Sequence, residues 1–244
     1  PKTLPILKQM AQSNENSYVR QVAVQELARG WKDDPETLPI LKRLAQSDDS
    51  YALRQVAVEE LARGWKDDPE TLPILKQLAQ SDDSYALRRA AVEELARGWK
   101  DDPGTLLIFK QIAQFNNNLY VRRATVQKLA RGWKDDPETL HFLKQIAQFD
   151  DNLNVRCVAV QELARGWKDE PGIFELLGDI AINHPFESKF KFPKNPRQTA
   201  LEIMLKQYPD LPQTLEILRD RLVNDPDQEV RQFAHEKLTE LEKL

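Results

Sequence analysis

The groups in this chain able to do chemistry are three histidines, one cysteine and 39 carboxylates, and their spacing argues against that use. His141, His184 and His235 are scattered, with no metal-ligand spacing and no cysteine beside them. Cys157 has no histidine nearby to take its proton and make a thiolate nucleophile. No Gly-x-x-x-x-Gly-Lys-Ser/Thr loop is present to cradle phosphates. The carboxylates recur on repeated faces, where they read as solvated charge. The sequence thus predicts no catalytic residue, no metal and no cofactor, and a protein that is not an enzyme.

What remains is the chemistry of recognition, at two places. Residues 184–195 hold Phe186, Lys189, Phe190, Lys191, Phe192 and Lys194, aromatics interleaved with lysines. A loop this apolar either packs back on the body of the protein or waits for a partner, and its charge suits an acidic surface or a phosphate. The second place is a set of positions that vary while their surroundings do not. Tyr18 becomes Ala52, Ala86, Tyr120 and Asn154; Gln21 becomes Gln55, Arg89, Arg123 and Cys157; Gln25 becomes Glu59, Glu93, Gln127 and Gln161. Spaced three or four apart, these share one helix face. A binding surface would vary in this way, and so would a neutral solvent face. The candidate partner-binding residues are therefore Tyr18, Arg89, Tyr120 and Arg123 together with the six in the loop.

The frame that must position them is a repeat. Leu-Ala-Arg-Gly-Trp-Lys-Asp stands at 27–33 and returns at Leu61, Leu95, Leu129 and Leu163, so Trp31, Trp65, Trp99, Trp133 and Trp167 are one position repeated every 34 residues. A period of that length marks a stacked array. Units begin at Pro1, Pro35, Pro69, Pro103, Pro137, Pro171 and Pro212. In the unit from Pro35, Asp34 reads as the cap of a first helix with Pro35 at its first position. Pro39 should bend the start of that helix, an effect absent where Leu107, His141 and Glu175 replace it. Asn16, Ser50, Ser84, Asn118 and Asn152 are cap residues for a second helix, and Gly64 suits its left-handed C-terminal cap. Trp167 to Tyr208 spans 41 residues, so the sixth unit carries a seven-residue insertion and Tyr208 stands for the tryptophan.

Two further columns read as structural. Each tryptophan fills the seam between successive units, where its ring removes roughly 150–250 Å² from water. The arginines Arg20, Arg54, Arg88, Arg122, Arg156, Arg197 and Arg231 pair with the acidic or Asn-rich turns of their own or a neighbouring unit rather than forming an anion ladder. The net charge of −4 argues against a nucleic-acid partner, and no apolar run reaches the ~18 residues of a membrane span. A lone cysteine points to a reducing compartment, here the cytoplasm. The chain opens at Pro1 already in register, which reads as a piece of a longer protein.

Val19-Arg20, Leu53-Arg54, Leu87-Arg88, Val121-Arg122, Val155-Arg156 and Val230-Arg231, each followed by Ala-x-x-x-Leu or a close variant, resemble the HEAT repeat family across the whole chain. The Glu-Leu-Ala-Arg-Gly-Trp-Lys-Asp-Asp-Pro units, followed by Asn195-Pro196-Arg197-Gln198-Thr199-Ala200-Leu201-Glu202, look like the C-terminal arrays of cyanobacterial NACHT-type NTPases. The resemblance implies an all-α fold: one right-handed alpha-alpha superhelix over 1–244, a HEAT-type solenoid of seven two-helix repeats whose second helices line the concave side. It implies a non-catalytic protein-binding scaffold, the ligand-sensing arm of a larger NTPase, with a protein partner and no small-molecule ligand. The alternatives are a bilin-lyase-like HEAT protein acting on phycobiliproteins, DNA binding by a HEAT array, and a structural spacer or engineered repeat array.

Overall fold

A computed structural model describes residues 3–185 and 195–243. Among them are fourteen α-helices and no strand. They are α1 (Thr3–Ser13), α2 (Ser17–Gly30), α3 (Thr37–Ser47), α4 (Tyr51–Gly64), α5 (Thr71–Ser81), α6 (Tyr85–Gly98), α7 (Pro103–Phe115) and α8 (Leu119–Gly132), then α9 (Pro137–Phe149), α10 (Leu153–Gly166), α11 (Ile173–Asn183), α12 (Pro196–Gln207), α13 (Pro212–Asn224) and α14 (Gln228–Leu241). The chain is all-α and built from seven successive helix pairs, as the 34-residue period predicts. It forms two compact units, and the boundary, between Lys128 and Leu129, falls within α8. In the first unit α1 packs on α2, α3 on α4 and α5 on α6, while α2 meets α4 and α4 meets α6. In the second, α9 packs on α10, α11 on α12 and α13 on α14, with α10 against α12.

Each second helix starts at the cap residue its sequence supplies. The side chains of Asn16, Ser50, Ser84, Asn152, Asn195 and Asp227 each accept a backbone N–H from the first turn, and Asn118 accepts two. The residue two positions earlier turns the chain into that cap. Asp48 accepts the N–H of Ser50, and Asp82 that of Ser84.

First helices differ, for a local reason. Pro39 and Pro73 have no N–H to give to the carbonyl four residues back, so α3 and α5 begin only at Thr37 and Thr71. Leu107 and His141 restore the donor, and α7 and α9 begin two residues earlier in register, at Pro103 and Pro137, with Asp102 and Asp136 as caps. The sixth unit departs from the expected start at Pro171. Glu170 stands where the others have Asp, Gly172 takes φ 84°, and α11 begins at Ile173.

The expected left-handed glycine cap is not formed. Gly64 lies inside the last turn of α4, and Gly172 is the one positive-φ residue among those described. The helix is instead closed by Trp65, whose N–H donates to Leu61 O at 2.9 Å. Trp99, Trp133 and Trp167 are buried. Lys32 from the preceding turn sits 5.8 Å over the Trp65 ring, and Lys66 sits 6.0 Å over Trp99. Tyr208 spans its seam differently, donating its hydroxyl to Lys168 O at 2.6 Å with Phe174 edge-on at 5.3 Å.

The arginine column joins neighbouring pairs. Arg20 meets Asp48 at 2.7 Å, and Arg54 forks onto Asp82 while donating to Ala45 O at 3.0 Å. Arg88 donates to Asp82 O and to Asn117. Arg156 donates to His184 Nε2 at 2.8 Å, and Arg197 pairs with Asp225 at 3.0 Å. A parallel row of lysines reaches the acidic turn before the next unit's first helix: Lys8 to Asp34, Lys42 to Asp68 and Lys76 to Asp102, of which only Asp102 caps its helix while Asp34 and Asp68 do not take the predicted cap position. The lysine hydrogen bonds hold the Asp34 and Asp102 carboxyls below the usual carboxylate range.

Candidate functional site

The frame residues are thus spent on joints, and the variable positions of α2, α4, α6 and α8 are left wholly or partly exposed. Between α4 and α6 is a hollow of about 180 Å³ lined by Gln55, Glu59, Tyr85, Arg89 and Glu93 among others. Between α6 and α8 is one of about 320 Å³ lined by Arg89, Glu93, Tyr120, Arg123, Ala124 and Gln127. The two share Arg89 and Glu93, so they form one groove across three second helices. Helical spacing explains the grouping: Tyr85, Arg89 and Glu93 are each one turn apart on α6.

The structure brings Arg89, Tyr120 and Arg123 together here, three of the ten residues expected from sequence. Tyr18 lies on α2, 70% exposed and away from the groove lining. Phe186, Lys189, Phe190, Lys191, Phe192 and Lys194 fall outside the described residues. On α10 the corresponding Cys157 is buried and receives the Thr199 hydroxyl at 3.7 Å.

Sequence reasoning missed Tyr85. Its ring lies 5.9 Å from that of Tyr120 at 34°, and both side chains are about half exposed. The signal was a tyrosine in the first turn of four successive second helices, at Tyr18, Tyr51, Tyr85 and Tyr120, shifted by one residue between units.

The groove's charge is set one helical turn at a time. On α4, Gln55 donates to Glu59 at 2.9 Å. On α6, Arg89 Nε lies 3.3 Å from Glu93. On α8, Gln127 takes the glutamate's place. Among the described residues Arg123 makes no ion pair, and its Nε is buried without a hydrogen-bond partner. Beneath this face Glu94 is buried, and burial pushes its carboxyl up while Arg97, 2.9 Å away, opposes the shift. Glu60 and Glu162 occupy the same buried position, each paired with an arginine three residues on, and α8 has Lys128 there.

A larger hollow of about 550 Å³ lies beside Trp167, lined by Lys134, Asp136 and Glu170. Its lining is the repeat's own turn, so it belongs to the frame. Among the described residues no three His, Cys, Asp or Glu side chains cluster as metal ligands, and no helix is long and apolar enough to cross a membrane. The groove offers two aromatic faces, two guanidiniums and the carboxylates of Glu59 and Glu93, which are means of holding a surface.

Comparisons with known proteins agree with this architecture. Residues 4–96 match the family model for HEAT repeats. The chain is similar in structure to the Escherichia coli protein YibA, at 20% identity and a TM-score of 0.57, over 93% of this chain and 78% of that one. It is also similar to an archaeal HEAT-like repeats protein from Thermococcus onnurineus NA1, at 14% identity and a TM-score of 0.48, over 97% of this chain and 95% of that one. No curated protein sequence matches it. The fold is a HEAT-like repeat scaffold, consistent with a protein-binding or a structural role.

Proposed function

We propose that this chain is a non-catalytic recognition module that binds a protein partner along the second-helix groove of α4, α6 and α8. One observation carries the reading. The repeat's invariant residues are consumed in joints, while the residues that differ between units, Arg89, Tyr120 and Arg123, line one continuous groove with Tyr85. Aromatic and arginine side chains are the types that dominate binding energy at protein interfaces. The loop residues Phe186, Lys189, Phe190, Lys191, Phe192 and Lys194 are a second contact in this proposal, and Tyr18 an outlying one. The net charge of −4 supports a protein rather than a nucleic acid as the target. In the context suggested by its repeat sequence, the module is the cytoplasmic sensing arm of a larger NACHT-type NTPase, reading residues 1–244 as one array.

The test is a selection of random peptides displayed on phage against the immobilised chain. Selected clones should lose at least about tenfold in affinity for a Tyr85→Ala/Tyr120→Ala variant, a loss of roughly 1.4 kcal/mol. Circular dichroism checks that the variant keeps its helices. Failure to enrich any clone over a bare surface, or clones indifferent to the double substitution, would sink the reading in favour of a spacer.

A further inference from the structure

Resting on that reading, we infer that the segment held in the groove is acidic, and that one of its carboxylates seats on Arg123 between the Tyr85–Tyr120 pair and Gln127. The observations concern α8 as a whole. This helix carries Arg122, Arg123, Lys128 and Arg131 and no acidic residue. Its counterparts each hold at least one: Glu26 on α2, Glu59 and Glu60 on α4, Glu93 and Glu94 on α6, Glu162 on α10. In a chain of net charge −4, α8 is therefore a positive bar.

Two of its four charges are engaged. Arg122 donates to Asn116 O at 3.3 Å, and Arg131 meets Glu162 at 2.8 Å. Among the described residues, Arg123 and Lys128 make no ion pair. For Arg123 the cause is a single replacement. The glutamate that sits one turn on, at Glu59 and Glu93, is Gln127 here, which can accept a hydrogen bond but cannot neutralise a guanidinium. Arg123 is half-buried, so water compensates its charge only in part. A carboxylate is the group that matches a guanidinium's paired donors. The tilted tyrosine pair beside it supplies an apolar wall with hydroxyls at the rim, the kind of surface that holds an extended peptide. Arg89 adds little attraction, because Glu93 already answers it. The charge preference is thus focused at one residue of the groove.

The probe is a fluorescein-labelled decapeptide of alternating Glu and Tyr, compared with counterparts in which every Glu is Gln or Lys. The glutamate peptide should bind about tenfold or more tightly than the glutamine peptide, with the lysine peptide weakest, since a hydrogen bond to a charged group is worth about that factor. The preference should shrink as salt is added. Arg123→Gln should abolish it, and so should Gln127→Glu. The second change only gives α8 what α6 already carries at Glu93, so the fold is kept. Tyr120→Ala should weaken all three peptides alike. Equal binding of the three peptides, or a glutamate preference that survives both Arg123→Gln and Gln127→Glu, overturns the inference. If the lysine peptide binds most tightly, the inference fails while the recognition reading stands. If no peptide binds and display selection also yields nothing, both fail.

Discussion

Arg197 on α12 and Asp225 after α13 form an ion pair at 3.0 Å, with side chains 3% and 0% exposed. Asp225 also accepts the N–H of Asp227 through its side chain, and its carbonyl receives Arg231. Removing the carboxylate leaves a buried guanidinium without its counter-charge. Asp225→Ala should cost about 3–5 kcal/mol in urea unfolding. Glu240→Ala breaks an ion pair too, with Lys237, but that pair is exposed and its loss should not register in the same assay.

The seam residue Trp99 is 9% exposed, with the Lys66 ammonium over its ring. Trp99→Ala should cost about 3–5 kcal/mol and broaden the urea transition, because each helix pair is supported only by its neighbours. An unchanged single sharp transition would refute the seam assignment.

Glycine substitutions should have opposite signs at two positions. Gly64 has helical backbone, and an added Cβ would meet nothing within 4 Å. Gly64→Ala should raise stability by about 0.4–1 kcal/mol through the unfolded chain. Gly172 holds φ 84°, where a side chain is strained, so Gly172→Ala should lower stability by roughly 1–2 kcal/mol. Thermal melts of the two variants beside wild type decide it.

His184 stands where the other joints have Asp or Asn. Burial, then Arg156 and Arg197, push it down from 6.5 to about 4. It is therefore neutral and accepts from Arg156. Between pH 6.5 and about 4 the unfolded chain binds the proton and the folded chain does not, so this site costs stability as pH falls through that window. His184→Gln keeps an acceptor without the titration. The stability difference between wild type and variant should shift in the variant's favour by on the order of 1–3 kcal/mol from pH 7 to pH 4. Parallel pH profiles would remove the assignment.

The repeat, the second-helix caps, the arginine-to-turn pairing and the position of α12 after the insertion were all legible from column register. What the columns concealed was geometry set by neighbours. Gly64 has a cap-forming composition, but Trp65 closes the helix with its own N–H before a left-handed turn is needed. Pro171 reads as a helix start like Pro103 and Pro137, yet α11 begins only at Ile173, behind a Gly172 at φ 84°. Of the groove, Arg89 and Arg123 were legible because they vary in step. Tyr85 was not, because its ring reaches Tyr120 from the adjacent column. The lysine row was missed because its partners lie 26 or 28 residues ahead, beyond any local pattern.

The ion pairs between these successive helix pairs point the same way along the chain. Lys8, Arg20, Lys42, Arg54 and Lys76 each give a positive charge forward to an acid in the following helix pair, as Arg131 and Arg197 do in the second unit. Every helix pair so joined presents the same plug at one edge and the same socket at the other. Copying or deleting a whole 34-residue length therefore leaves matched connectors on both sides of the splice, whereas a change of any other length sets the cations of one helix pair out of register with the carboxylates of the next. Such a chain can change its length by gene duplication while keeping the same kind of joint.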